Sequence, residues 1–357
     1  KIPMSPLSPF RRTGAPALVL LALLLLTMTF GVSIGPVPIP FGRVWGIVLH
    51  QVFPDWHAVA QDWPQNEVSI VWQLRLPRVI LGAIVGAGLM MAGAAIQSLV
   101  RNSLADPYLL GISSGGCAGA VAAILLLGKV LGSSCTGLST VFIMAFLGSL
   151  LAFGLVLLIA AQGEGLTPMR MILSGLAVSY AFTALTNFMV YLNQRSGAES
   201  AMFWMLGGLG GARWDRLPIP LAVTAACLAL LVLQGRSLNA LMLGDESAAA
   251  LGVDVRRSRR FLFALTSLLT GTLVAVSGSI GFVGLVVPHV MRMTVGADHR
   301  RILPLGALVG AIFLILADAF SRAVLAPREL PLGVVTGFVG APFFIWLLRR
   351  GGRQGRP

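Results

Sequence analysis

The sequence predicts an all-α, polytopic membrane protein with ten transmembrane helices, and three observations carry that prediction. The 357-residue chain is 56% hydrophobic and only 11% charged, against about 25% charged residues in ordinary soluble domains. Its mean hydropathy is +0.87. Its charges also cluster, leaving long uncharged windows at 13 to 42, 79 to 100, 107 to 128, 130 to 163, 171 to 194, 217 to 235, 261 to 291, 302 to 317 and 330 to 348. A soluble core helix seldom needs about 20 uncharged residues in a row, whereas a bilayer crossing does.

The first window follows Arg11 and Arg12 and could pass for a signal peptide. No small-x-small cleavage site precedes Pro36, so it reads as a retained first span. Residues 37 to 78 then form the largest outer loop, carrying Trp45, Trp56, Trp63 and Trp72. Tryptophan favours the lipid-water interface, so part of this loop is expected to lie on the surface as short amphipathic helices. The next five windows supply spans two to six, with a second outer segment at 195 to 216. The seventh window is long enough for two spans, and Gly278, Gly281 and Gly284 divide it into spans seven and eight. Spans nine and ten follow, and the even count puts both termini on one side.

With the N-terminus in the cytoplasm, 17 of the 26 basic residues fall in inner segments, as the positive-inside rule requires. Those arginines are scattered over separate loops and tails, which argues against a nucleic-acid partner. The chain reads as one transmembrane domain over 1 to 357. Spans two to five and seven to ten form comparable blocks entering from opposite sides, an inverted repeat around span six that suits a transporter.

Between spans six and seven, residues 236 to 260 read like soluble protein. Asp245 is placed to cap a short helix that Gly252 ends, Asp254 to cap the next, and Arg256, Arg257, Arg259 and Arg260 precede span seven as interfacial anchors. Small residues recur at four-residue spacing, as at Gly82 and Gly86, at Gly111, Gly115 and Gly119, and at Gly306 and Gly310. Such pairs let helices pack closely.

Several chemistries are excluded. Gly111-Ile-Ser113-Ser-Gly115 has the spacing of a nucleophile elbow but lacks the preceding strand and the histidine partner. His50, His57, His289 and His299 have no metal-binding spacing, and Cys117, Cys135 and Cys227 suggest neither a metal site nor a disulfide framework. No P-loop is present, so the chain should not bind ATP itself and is not expected to be an enzyme. Ion-coupled transport needs titrating groups within the spans. Only Asp318 comes near, and Arg322, four residues on, is its expected partner. A chain built to move something without a nucleotide loop or an ion relay borrows its energy; a secondary transporter working alone is the rival reading.

Leu74-Arg-Leu-Pro-Arg78, the run from Gly93 to Pro107, Leu110-Gly-Ile-Ser-Ser-Gly115, Gly281-Phe-Val-Gly-Leu-Val-Val-Pro-His289 and Glu329-Leu-Pro-Leu-Gly-Val-Val-Thr-Gly337 together resemble FecCD-type permeases. The resemblance covers about residues 70 to 349. It implies a multi-pass protein of the bacterial inner membrane, working as a homodimer with the pathway between the subunits. Two cytoplasmic ATPases would bind ATP and Mg, a periplasmic protein would deliver substrate, and the permease would carry no cofactor of its own. The coupling element that enters the ATPase would be Gly244, Asp245, Glu246, Ser247, Ala248, Ala249, Ala250, Leu251 and Gly252. Arg75, Arg78 and Arg322 match the outer arginines that receive the binding protein. The family carries haem, iron-siderophores and cobalamin; the stretch from Asn193 to Gly208 most resembles haem permeases. On that reading Arg195 would attract the propionates, and Met202, Phe203, Trp204 and Met205 would face the porphyrin.

Overall fold

The computed structural model describes residues 14–53, 63–127, 138–162, 167–193 and 197–354, and every regular element among them is helical. In chain order these are α1 (Gly14–Ser33), α2 (Phe41–Val52), α3 (Gln65–Val100), α4 (Ile112–Ala122), α5 (Leu138–Ala160), α6 (Pro168–Leu192) and α7 (Ala198–Met205). After them come α8 (Pro218–Leu233), α9 (Gly235–Met242), α10 (Asp245–Ala250), α11 (Val255–Ser277), α12 (Val283–Val295), α13 (His299–Ala323) and α14 (Leu332–Gln354). Seven of them, α1, α3, α5, α6, α8, α11 and α13, are long and apolar enough to cross a membrane. Three shorter apolar helices lie at Ile112–Leu126, Val283–Val295 and Leu332–Leu347.

Burial sorts these helices into a centre and a perimeter. The most apolar window of α3 is 83% buried and those of α11 and α13 are 72% and 67%, whereas α5, α6 and α8 reach 28% each. The perimeter helices expose Leu18 and Leu26 on α1, Leu151 and Leu158 on α5, and Ile219 and Leu233 on α8. Aliphatic side chains facing outward suit a lipid surround, and the chain is a multi-pass membrane protein.

Glycines set the spacing at the centre. A side chain at Gly86 would fall on the Gly310 carbonyl, and one at Gly93 on the Gly284 carbonyl, so α3 meets α13 and α12 backbone to backbone. Close approach of this kind replaces side-chain interdigitation with dispersion contact along the main chain. The break expected at the 278–284 glycines is present: Gly278 (φ 65°) ends α11, and Phe282 stands at φ 68° immediately before α12. An aromatic residue in that left-handed region costs roughly 1–3 kcal/mol. The close fit of the Phe282 ring over Gly340 of α14 is one contact that holds it there.

Two expectations are corrected. The loop assigned to 37–78 is shorter, because α3 begins at Gln65 and winds through a π-helical stretch at Ser69–Arg75 before its apolar run. Arg75 and Arg78 hid that start: a charge ends an uncharged window but need not end a helix when it has partners. For the same reason α13 reaches past Asp318 to Ala323. The second correction concerns Asp245. The N-cap of α10 is Gly244 (φ 109°) with no side-chain cap bond, and the Asp245 carboxylate is turned to Arg259 instead. Asp254 does cap α11, accepting from the Arg257 amide at 2.9 Å.

Candidate functional site

At the end of the bundle where α1 finishes and α3 begins, two arginines converge on two carboxylates and a third, Arg75, is held beside them by backbone carbonyls. Arg78 donates Nε to Asp318 at 2.9 Å and forks onto both oxygens of Glu329 at 3.0 and 2.9 Å. Arg322 donates Nε to Asp318 at 3.0 Å and its other nitrogens to the carbonyls of Gly31 and Ile34. Arg75 donates to the carbonyls of Val32, Ser33 and Val37. The last turn of any helix leaves carbonyls without intrahelical donors, and cations are favoured there. Two buried guanidiniums therefore complete the end of α1, and the third pairs with Asp318 and Glu329. Arg75 and Arg322, which the resemblance assigned to docking of the binding protein, are buried and committed to these bonds; Arg78 keeps contact with the surface through the exposed Glu329.

At the opposite end, α9 and α10 form an elbow. Leu238 and Leu241 bury one face of α9. Its Asn239 donates to Asp298 at 2.8 Å and accepts from the His299 amide at 2.9 Å, while the His299 ring lies 2.7 Å from Ser98 Oγ of α3. The elbow is thus seated on the starts of α13 and the end of α3. In α10 only Ala248 is fully buried; Glu246, Ser247, Ala249, Ala250, Leu251 and Gly252 are exposed, and Gly244 and Asp245 are half-buried. Leu243 and Leu251, 68% and 65% exposed, stand at the two sides of this small-residue surface. Arg259 is buried and reaches Asp245 with both terminal nitrogens, at 2.8 and 2.7 Å, so of the four arginines expected as anchors this one faces inward.

A third feature lies on α6. Tyr180, Thr183, Asn187 and Tyr191 recur every three or four residues and are all exposed. Several polar side chains of other long helices point inward, as Ser149 does in α5, Thr224 in α8 and Thr266, Ser267 and Thr270 in α11. A carboxamide facing outward within a span, as at Asn187 in the last third of α6, is expensive against hydrocarbon. The row on α6 therefore marks a surface meant for water, a solute or another protein surface. Among the residues expected to face substrate, Met202 and Phe203 of α7 are exposed, while Trp204 and Met205 pack partly into the bundle. Arg195 lies outside the described residues.

With this geometry in place, comparison with known proteins decides the family. The model of the FecCD transport family matches residues 23–350. The chain belongs to the FecCD transport family. Among its FecCD relatives, the cobalamin import permease BtuC of Halobacterium salinarum is 43% identical over 80% of this chain and 75% of its own. The hemin transport permease HmuU of Yersinia pestis is 37% identical over 93% of this chain and 94% of its own. A metal-chelate type ABC transporter solved in an inward-facing conformation superposes with a TM-score of 0.79 at 30% identity, covering 94% of this chain and 98% of that one.

As a FecCD permease, the chain is a transport subunit, and its other polar groups fit that role. Ser113 lies 3.4 Å from Ser279 at the start of α4, and Tyr108 Oη accepts from the Ile280 amide, so the breaks preceding α4 and α12 touch each other. Among the described residues no group of three or more His, Cys, Asp or Glu could hold a metal ion. The α6 row was missed in the sequence because a hydropathy window averages over the helix. The signal was there in the spacing of four polar or aromatic residues on one side of an uncharged segment.

Proposed function

We propose that this FecCD permease passes a metal-bearing tetrapyrrole between two copies of itself, driven by two cytoplasmic ATPase subunits and supplied by a periplasmic binding protein. The observation that carries this reading is the outward polar row of α6, a surface suited to a water-lined path and unsuited to lipid. Two rows facing each other across a dimer axis would offer hydroxyls and amides to the polar rim of a large planar solute. Met202 and Phe203 would add apolar contact near the mouth, with Arg195 beside them. Haem is the first candidate from the residues between 193 and 208, and cobalamin is the second. The named relatives divide between hemin and cobalamin.

In this reading the three short apolar helices complete ten crossings of the inner membrane, both termini lie in the cytoplasm, and the two blocks around α8 form an inverted repeat. The elbow from Gly244 to Gly252 enters a cleft in the ATPase, its small side chains permitting close contact between Leu243 and Leu251. Docking of the binding protein falls to the exposed arginines at the other end, Arg43, Arg213 and Arg328 with Arg78 at their edge, while Arg75 and Arg322 hold the fold beneath them.

The test is uptake by proteoliposomes containing the permease, its ATPase and its binding protein, with haem and cyanocobalamin offered separately. ATP-dependent uptake of one of them is expected, and replacing Asn187 by Leu should cut it by on the order of tenfold without lowering thermal stability. Gradient-driven uptake by the permease alone would sink the importer reading. Full transport by the Asn187→Leu variant would remove α6 from the path.

A further inference from the structure

The elbow is a small object to carry force. A helix of six residues has little stability of its own, and α10 rests on the bundle through the buried Ala248 and the side chain of Asp245. Asp245 is held by both terminal nitrogens of Arg259, at 2.8 and 2.7 Å. Arg256, Arg257 and Arg260 are exposed on the same turns of α11, so Arg259 alone of the four is turned beneath the elbow. A forked guanidinium-carboxylate contact fixes orientation as well as distance. Its other end sits on α11, a central helix that packs against α3 and α5 and ends at the Gly278 break before α12.

We propose that Arg259 is a positioning residue for transport: through Asp245 it makes α10 and α11 move as one body, so that displacement of the elbow reaches the centre of the bundle. The inference rests on the reading of α10 as the ATPase-docking element. Without the fork, α10 would still present Ser247, Ala249 and Leu251 to the ATPase, but its movement would be taken up between α9 and α11. The Asn239 contacts seat α9 on the start of α13 and do not replace this link.

The complete importer, reconstituted in proteoliposomes with cyanocobalamin and haem as probes, tests this. In Arg259→Gln the ATPase should still co-purify and hydrolyse ATP, while substrate moved per ATP falls by on the order of tenfold; Asp245→Asn should lower the same ratio. Arg259→Lys keeps the charge but not the fork and should give an intermediate ratio. A wild-type ratio in all three variants overturns the proposal. So does a wild-type ratio in Arg259→Lys combined with loss of ATPase assembly in the other two, which would make the pair purely structural. Docking is read separately, from disulfide cross-linking of a Ser247→Cys variant to cysteines in the ATPase cleft. Absence of the cross-link sinks the function proposed for α10, whereas a normal cross-link with normal coupling in Arg259→Gln sinks only the role of Arg259.

Discussion

The two ends of the bundle use the same chemistry, arginine against carboxylate, in opposite ways. At the end of α1, three arginines, two carboxylates and five backbone carbonyls form a closed set in which Asp318 serves two cations at once. At the elbow, Arg259 and Asp245 meet fork to carboxylate, and most of the surrounding residues are exposed. Burial makes Arg75, Arg322 and Asp318 of the first set costly to lose, because a charge in a low-dielectric interior has little to replace its bond. The second set can yield without unfolding the bundle. One end is built to stay closed and the other to be reached.

Substitutions should reproduce that ranking. Asp318→Ala strands Arg78 and Arg322 together, and a loss of about 3–5 kcal/mol is expected. A fall in melting temperature in detergent would register it, and a near-normal melting curve would break the comparison. Arg75→Ala leaves the Val32 and Val37 carbonyls without their donor, while that of Ser33 keeps the Ile39 amide, and should cost about 3 kcal/mol, read in the same assay and as faster proteolysis near Val37. At the other end, Asp254→Ala removes the cap of α11 and should cost only about 1 kcal/mol. A larger loss there would mean that the elbow end is as tightly built as the first. Glu329→Gln should have the smallest effect, below about 1 kcal/mol, since Glu329 is 44% exposed and Arg78 keeps Asp318.

What could be read from the sequence is what depends on near neighbours. The Asp318–Arg322 pair lies one helical turn apart, the Asp254 cap three residues from its donor, and the break at Gly278 within a run of glycines; all three are present. The backbone partners of Arg75 and Arg322 were not legible, because they are carbonyls 38 to 291 positions away and any residue type supplies a carbonyl. That is why nothing in the sequence set the burial of Arg75 and Arg322 against the docking role that the resemblance gave them. The turn of Asp245 toward Arg259 was hidden for a related reason. Both a cap and a fork begin with an acidic residue at a helix start, and only the packing of α10 on α11 chooses between them.

The seating of α1 has a consequence for how the chain is made. The carbonyls of Gly31 and Ile34 wait for Arg322, which follows Gly31 by 291 positions. At about 5–20 residues per second, synthesis takes roughly 15 to 60 seconds to cover that distance. α1 therefore leaves the ribosome long before α13, and until α13 arrives its end is satisfied by water or headgroups at the membrane surface.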